Sequence, residues 1–339
     1  MKRRKFILSL AGTTAIGLTG LKIASSKAQQ SSGEARTQLA KIERSTWALG
    51  TQVNLTVYHQ DAKTADQAIT AAFAKLQEVE KLLSIYRPDS ELSFLNRNKQ
   101  LANPHPYLVE ILEYARDLSQ QTDGAFDITV QPLWKLYYNQ NKGSKSPSES
   151  EIHAALAQVD WKQVDITSNL LRLKGADTEI TLNGIAQGYA CDRVKQVLAD
   201  HGIQHALIDT GEIGSIGTPS GRDAWNIGIK HPRHKDQFKA MAQVKDRCLA
   251  TSGDYETLFS EDYRNHHLLD PHTGHSPEAL ASVTIAAPNG LQADALSTAV
   301  FILGPEQGRQ LVEATPDCDA LFISKSGNLT KTAGFPTLS

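Results

Sequence analysis

Cysteine is scarce in this chain. Cys191, Cys248 and Cys318 stand singly, with no CxxC pairing, which speaks against a disulfide framework and a zinc site and leaves buried structural thiols as the reading. No cysteine precedes Cys191, so a lipid anchor at an exported N-terminus is excluded. Basic residues are not in excess either: 35 Lys and Arg face 37 Asp and Glu. The first 28 residues hold six of the basic residues and no acidic one, so the remaining 311 carry 29 against 37, a net charge of −8. That argues against nucleic acid as a partner. Walker and dinucleotide fingerprints are missing, which removes P-loop kinase and Rossmann readings, and no repeat of fixed period is present.

The N-terminus dictates an address. Arg3-Arg4-Lys5-Phe6-Ile7 leads an apolar stretch, diluted by Gly, Ser and Thr, that ends near Leu21 and is followed by Ser26-Lys27-Ala28. This order is that of a signal peptide over residues 1–28, and the adjacent arginines point to the twin-arginine route, which carries folded proteins. A periplasmic or otherwise exported protein is expected; an uncleaved signal would hold it at the inner membrane. Residues 29–44 read as a flexible leader. A domain over 45–335 follows, long enough for a sizeable core.

Along that domain, residues 47–58 alternate like a strand. Residues 61–83 predict an amphipathic helix through Ile69, Phe73, Leu76, Val79 and Leu83. Arg87-Pro88-Asp89 ends it and Ser90 restarts a short helix. Residues 106–121 read as a second amphipathic helix, 122–129 as a glycine turn with an extended stretch, and 139–150 as an exposed excursion before a helix over 151–158. Strands are expected at 161–166, 170–173, 204–209, 225–230, 240–250, 266–269, 281–287 and 320–324. Residues 180–200 pass from a strand through Asn183-Gly184 into a helix, and helices cover 291–303 and 305–314. Mixed elements with hairpins predict an α+β fold rather than a doubly wound sheet.

Chemistry concentrates in a few places. Asp294 and Thr298 lie four apart in a helical stretch, one turn apart on one face. A carboxylate beside a hydroxyl suits a hard cation such as Mg2+, which takes few protein oxygens; the same residues also serve as an ordinary cap and a hydroxyl bonded back to its own helix. The glycine turns 183–188 and 210–217 allow backbone amides to approach phosphate, or are ordinary turns. His266 and His267 are neighbours, and on a strand only one of them can face a pocket. His is a natural general base near neutral pH. The HH-x2-D-x-H spacing fits no common closed zinc site.

Leu49-Gly50-Thr51, SIYRPDSELSFLN, TDGAFDITV, NGIAQGYACDRV, Thr251-Ser252-Gly253-Asp254-Tyr255, HLLDPHTG and ADALSTAVFILG follow one another over roughly residues 45–330. In order and spacing they resemble the ApbE family, the FAD:protein FMN transferases. The resemblance implies a single α+β, T-fold-related domain with mixed or antiparallel sheets and packed helices. It also implies Mg2+-dependent transfer of FMN from FAD to a Thr or Ser hydroxyl of an acceptor redox protein, through a phosphodiester, with release of AMP. The acceptor would be a membrane-bound or periplasmic electron-transfer protein carrying a flavinylation motif. By the same resemblance Gly184, Asp294 and Thr298 would hold the metal, and Leu49, Tyr86, Ala125, Phe126 and Asp127 would contact FAD. His267 would help deprotonate the acceptor hydroxyl. Departures from the family pattern stand at Thr181, where a carboxylate contacting FAD is usual, at Gln187 in place of a frequent Lys, at Thr210-Gly211 and at Leu49. They keep two further outcomes in view, metal-dependent FAD hydrolysis and a non-catalytic FAD-binding maturation protein.

Overall fold

The computed structural model describes residues 39–141, 146–220 and 222–338. The signal assigned to residues 1–28, and 29–38 of the leader, lie outside these residues. Strand β1 (Ala40–Ala48) takes in 40–44, so these belong to the domain and not to the leader. The single strand expected over 47–58 is the end of β1 and the whole of β2 (Thr51–His59). Ala48 faces Thr51 across a two-residue turn in which Leu49 and Gly50 both have positive φ, 52° and 76°. Such a turn matches the twist of its strands, and Gly50 supplies part of that backbone without strain.

Helix α1 (Ala62–Leu83) starts where the Asp61 carboxylate accepts the Lys63 and Thr64 N–H groups, and buries Ile69, Leu76 and Val79 at helical spacing. After α2 (Glu91–Asn98), capped by Ser90, come β3 (Gln100–Ala102) and α3 (Pro106–Gln121), which has proline at its first position. The stretch expected to be extended after the Asp123-Gly124 turn is instead a 3-10 turn at Ile128–Val130 running into α4 (Gln131–Asn141). Leu133 and Tyr137, one turn apart, pack with Ile152 and Leu269 and decide the matter in favour of helix. Then follow α5 (Glu149–Leu156), β4 (Val164–Ile166), β5 (Leu170–Leu173) and α6 (Ala186–Asp200).

The glycine-rich 210–217 is not a strand-to-helix turn. It closes a hairpin between β6 (Ala206–Asp209) and β7 (Ile213–Ile216). After β8 (Trp225–Lys230), the strand expected over 240–250 divides into β9 (Phe238–Val244) and β10 (Cys248–Gly253), because Asp246 turns the chain at φ 55°. Residues 266–269 form no strand, only an isolated bridge between His266 and Leu258. The last elements are β11 (Leu280–Ala287), α7 (Gly290–Ala314), broken at Gly304-Pro305, β12 (Asp319–Ser324) and β13 (Leu329–Lys331).

Eight strands make one sheet in the order β1-β2-β6-β7-β10-β11-β12-β13, all pairs antiparallel. The α+β expectation therefore holds. Helices α1, α6 and α7 bury one face of this sheet, where Leu55, Ile69, Tyr189, Val283, Ile285 and Phe301 pack together. The separate β8–β9 ribbon covers the other face with Trp225 and Ile229 against Leu249, Ala286 and Ile323. Alternation along β11, Ile285 to one side and Ala286 to the other, explains why that strand is buried throughout.

Candidate active site

A cavity of about 620 Å3 opens where α6, α7, the β6–β7 hairpin, the end of β10 and several turns converge. Leu49, Tyr86, Ala125, Phe126, Asp127, Thr181, Gly184, Gln187, His267, Asp294 and Thr298 all line it. Residues drawn from six separate stretches of sequence thus meet at one place. Glu212, Ser252 and Trp134 are there as well.

The floor is set by the crossing of two helix starts. A Cβ on Gly188 would lie 2.0 Å from the Gly290 carbonyl oxygen, and a Cβ on Gly290 only 2.4 Å from the Gly188 carbonyl oxygen. Only glycine at both positions lets α6 and α7 approach so closely. Asp192 tightens the crossing by accepting the Gly290 and Leu291 N–H groups at 2.7 and 2.8 Å. The first turn of α6 has no side-chain cap of its own at Ile185. Asp294 of α7 takes that role: its carboxylate accepts the Gly188 N–H at 2.8 Å and also that of Gln187. A helix N-terminus favours negative charge there.

Burial works against that charge. Asp294 is 5 % exposed, and desolvation pushes its carboxyl up to about 7 despite the two amides, with the nearby Asp192 charge adding to the rise. Glu212, which accepts the Thr251 N–H at 3.1 Å, is driven well above the usual carboxylate range by burial and by Asp294. Two carboxylates forced upward in one place form a site that a cation would relieve. Thr298 adds a hydroxyl, with Ser252 Oγ 3.4 Å away, and Gly184 backs onto it so closely that a Cβ would stand 2.9 Å from Thr298 Oγ1. These donors are all oxygen, and among the described residues no three His, Cys, Asp or Glu gather to hold a metal. Few carboxylates with two hydroxyls fit Mg2+, which keeps water and substrate oxygens in its shell.

His266 and His267 part company. His266 is fully buried against Phe301 and exchanges two hydrogen bonds with Ser276, and desolvation lowers its imidazole to about 4. His267 lines the cavity, its backbone N–H donating to the Thr257 carbonyl at 3.0 Å. The DPHTG turn also meets the TDGAFD turn, since the His272 ring lies 2.8 Å from the Asp123 carbonyl. Asp127 holds the latter turn by accepting the Thr129 N–H, the Thr129 hydroxyl and the Trp161 N–H, and burial raises it to about 6. At the mouth stands Tyr86, 67 % exposed, its hydroxyl accepting from the Asn183 amide at 2.9 Å. Leu49 sits beside it in a left-handed conformation held by Glu80, which accepts its N–H at 3.0 Å.

Gln187 and Thr210-Gly211 share one corner. The Gln187 amide lies so near Gly211 that a Cβ there would meet it at 2.6 Å, and the Thr210 hydroxyl donates to the Gln187 carbonyl. Thr181 is buried, with its N–H on the Ile128 carbonyl. Sequence reasoning missed Glu212 and the Gly188–Gly290 contact. The acid within TGEIG, and a glycine at the start of each of two helices, were the signals available.

The chain matches the model of the ApbE family over residues 49–322. It is 32 % identical to the FAD:protein FMN transferase of Treponema pallidum, covering 88 % of this chain and 89 % of that protein. The ApbE protein of Thermotoga maritima superposes with a TM-score of 0.78 at 30 % identity, over 87 % of this chain and 97 % of that one. The flavin transferase ApbE of Vibrio cholerae does so with 0.75 at 27 % identity, over 87 % and 97 %. A pocket assembled from those dispersed motifs, a family model spanning most of the chain and a shared fold lead to one conclusion: this protein belongs to the ApbE family.

Proposed function

We propose that this chain is an FAD:protein FMN transferase. The observation that carries the proposal is the meeting of the motif residues in one cavity whose floor combines a helix N-terminus with Asp294, Glu212 and Thr298. In this reading a hydroxyl oxygen of the acceptor forms a bond to the FMN phosphorus of FAD, the pyrophosphate bridge breaks, and AMP leaves. The hydroxyl proton passes to His267. Gly184, Asp294 and Thr298 hold Mg2+, which when bound stabilises the charge on the transferred and leaving phosphates. Tyr86 and Leu49 at the mouth, with Ala125, Phe126 and Asp127, hold the flat and apolar parts of FAD. Thr181 and Gln187 face the same ligand without the charges usual there.

The twin-arginine pattern of residues 1–28 supports an exported enzyme whose acceptor is a periplasmic or membrane-bound electron-transfer protein. The test is mass spectrometry of Thr- or Ser-containing acceptor peptides incubated with the protein, FAD and Mg2+, with EDTA as control. An FMN-sized gain on the hydroxyl residue that EDTA abolishes supports the proposal. FMN and AMP released equally with and without peptide would replace it by FAD hydrolysis; intact bound FAD after long incubation would replace it by a binding protein.

A further inference from the structure

The β8–β9 ribbon has an open edge. On β9 the Gln243 N–H donates to the Pro336 carbonyl at 2.7 Å, and the Met241 carbonyl accepts the Leu338 N–H at 2.8 Å. Residues 241 and 243 therefore point toward the C-terminal segment, and their neighbours toward β8. Since Ala242 lies opposite Ile227 and Met241 opposite Gly228, Ile227 bonds inward while Asn226 and Gly228 turn N–H and C=O groups outward. Those groups have no backbone partner among the described residues. Asn226, Ile227, Gly228, Ile229 and Lys230 line the cavity in unbroken succession. A strand presenting a face contributes alternate residues; one presenting its edge contributes them all.

Beyond this edge the connection to β9 is basic. Arg233 and Lys235, with His231, His234 and Lys239 at the start of β9, stand against Asp236 alone in a chain that is net acidic after residue 28. Arg233 is committed inward, its guanidinium bound to buried Asp254 by two bonds of 2.7 Å. His234 and Lys235 are exposed, and so is the Phe238 ring, which covers Gly228 so closely that a Cβ there would lie 2.4 Å from it. N–H and C=O groups that recur at every second residue along an edge match the backbone of a strand laid beside it. They are what an extended polypeptide requires.

We propose that the acceptor protein docks by adding its hydroxyl-bearing segment as a strand on the free edge of β8, with acidic residues flanking that segment against the basic tip. This rests on the transferase reading above. Alternation along the added strand turns the reacting side chain into the cavity and its neighbours away. Charge on the tip selects partners and speeds encounter.

The test uses the whole protein with FAD, Mg2+ and a library of Ser and Thr peptides whose flanks are acidic, neutral or basic, FMN transfer being read by mass spectrometry and FAD binding by a separate titration. Acidic-flanked peptides are expected to react best. Lys235→Glu with Lys239→Glu should raise their KM about tenfold, shift preference toward basic flanks and leave FAD affinity unchanged. Asn226→Pro, acceptable on an edge because the lost N–H points outward, should raise peptide KM for every flank. Variants that process the library as wild type does, or that lose FAD affinity instead, overturn the docking proposal. If wild-type protein transfers FMN to no peptide while binding FAD, the transferase reading fails and the docking proposal falls with it.

Discussion

The floor and the mouth of the cavity are built by opposite means. At the floor, two glycines remove side chains so that backbone meets backbone, and Asp294 is held by amides in a place nearly closed to water. At the mouth, Tyr86 projects into solvent and is positioned by one hydrogen bond from Asn183. Precision therefore comes from tight packing at the end where charge must be stabilised, and adaptability is left to the end that admits large partners. Substitutions at the floor should therefore cost chemistry or folding, and substitutions at the mouth only affinity.

The largest effect should follow Asp294→Ala. Transfer is expected to fall about 10³-fold with the fold retained, as for loss of a group that stabilises transition-state charge; metal-dependent activity near the wild-type rate would remove Asp294 from the metal site. Gly188→Ala comes next, since its Cβ would strike the Gly290 backbone. Overpacking against backbone should destabilise the protein by about 3 kcal/mol, read by urea unfolding, and an unchanged midpoint would mean that the crossing is slack.

A pH profile separates the floor from the rest of the chain. Asp294, raised to about 7 in the folded protein, holds a proton that the unfolded chain has released. The metal-free protein therefore loses this contribution to stability as pH rises toward and through 7. His266, lowered to about 4, works in the opposite sense below its unfolded value of about 6.5. The difference between wild type and Asp294→Asn isolates the carboxylate. Mg2+ binding needs the ionised form, so apparent affinity should fall by up to about tenfold per pH unit below 7; a flat profile between pH 5 and about 7 would show that Asp294 is already ionised there. The smallest effect belongs to Tyr86→Ala. A raised KM for FAD, about fivefold, with stability changed by less than about 0.5 kcal/mol, is expected from an exposed ring held at its hydroxyl by Asn183.

What could be read in advance was mostly local. Asp294 and Thr298 were visible because helical spacing alone places them on one face. Ser90 as a cap and Pro106 at a helix start also speak through neighbouring residues. The separation of His266 from His267 was foreseen from strand alternation, yet the structure achieves it in a loop, through Ser276 and Phe301. The FAD and metal positions came through family resemblance, and what the structure adds is that they line one cavity. Glu212 escaped notice because its character depends on burial beside Asp294, a residue distant in sequence. Helix α4 escaped because the β-branched Ile128-Thr129-Val130 favour extension locally, while the contacts of Leu133 and Tyr137 that decide for helix are tertiary. The β9–β10 corner left one local mark, the three successive polar residues Lys245, Asp246 and Arg247 that interrupt the alternation.

The bond from Gly188 to Asp294 spans 106 residues of chain, and that from Asn54 to Asp209 spans 155. Contacts of such separation form late, because closing long loops costs entropy before the contacts repay it. During synthesis the first helix start must wait, uncapped, until the last helix has left the ribosome. A nascent or truncated chain ending before residue 290 has most of its strands and lacks the Asp294 carboxylate that caps α6. A complete cavity floor is therefore a signature of the finished molecule, and any quality check that senses ligand binding there would pass only chains that have folded to the end.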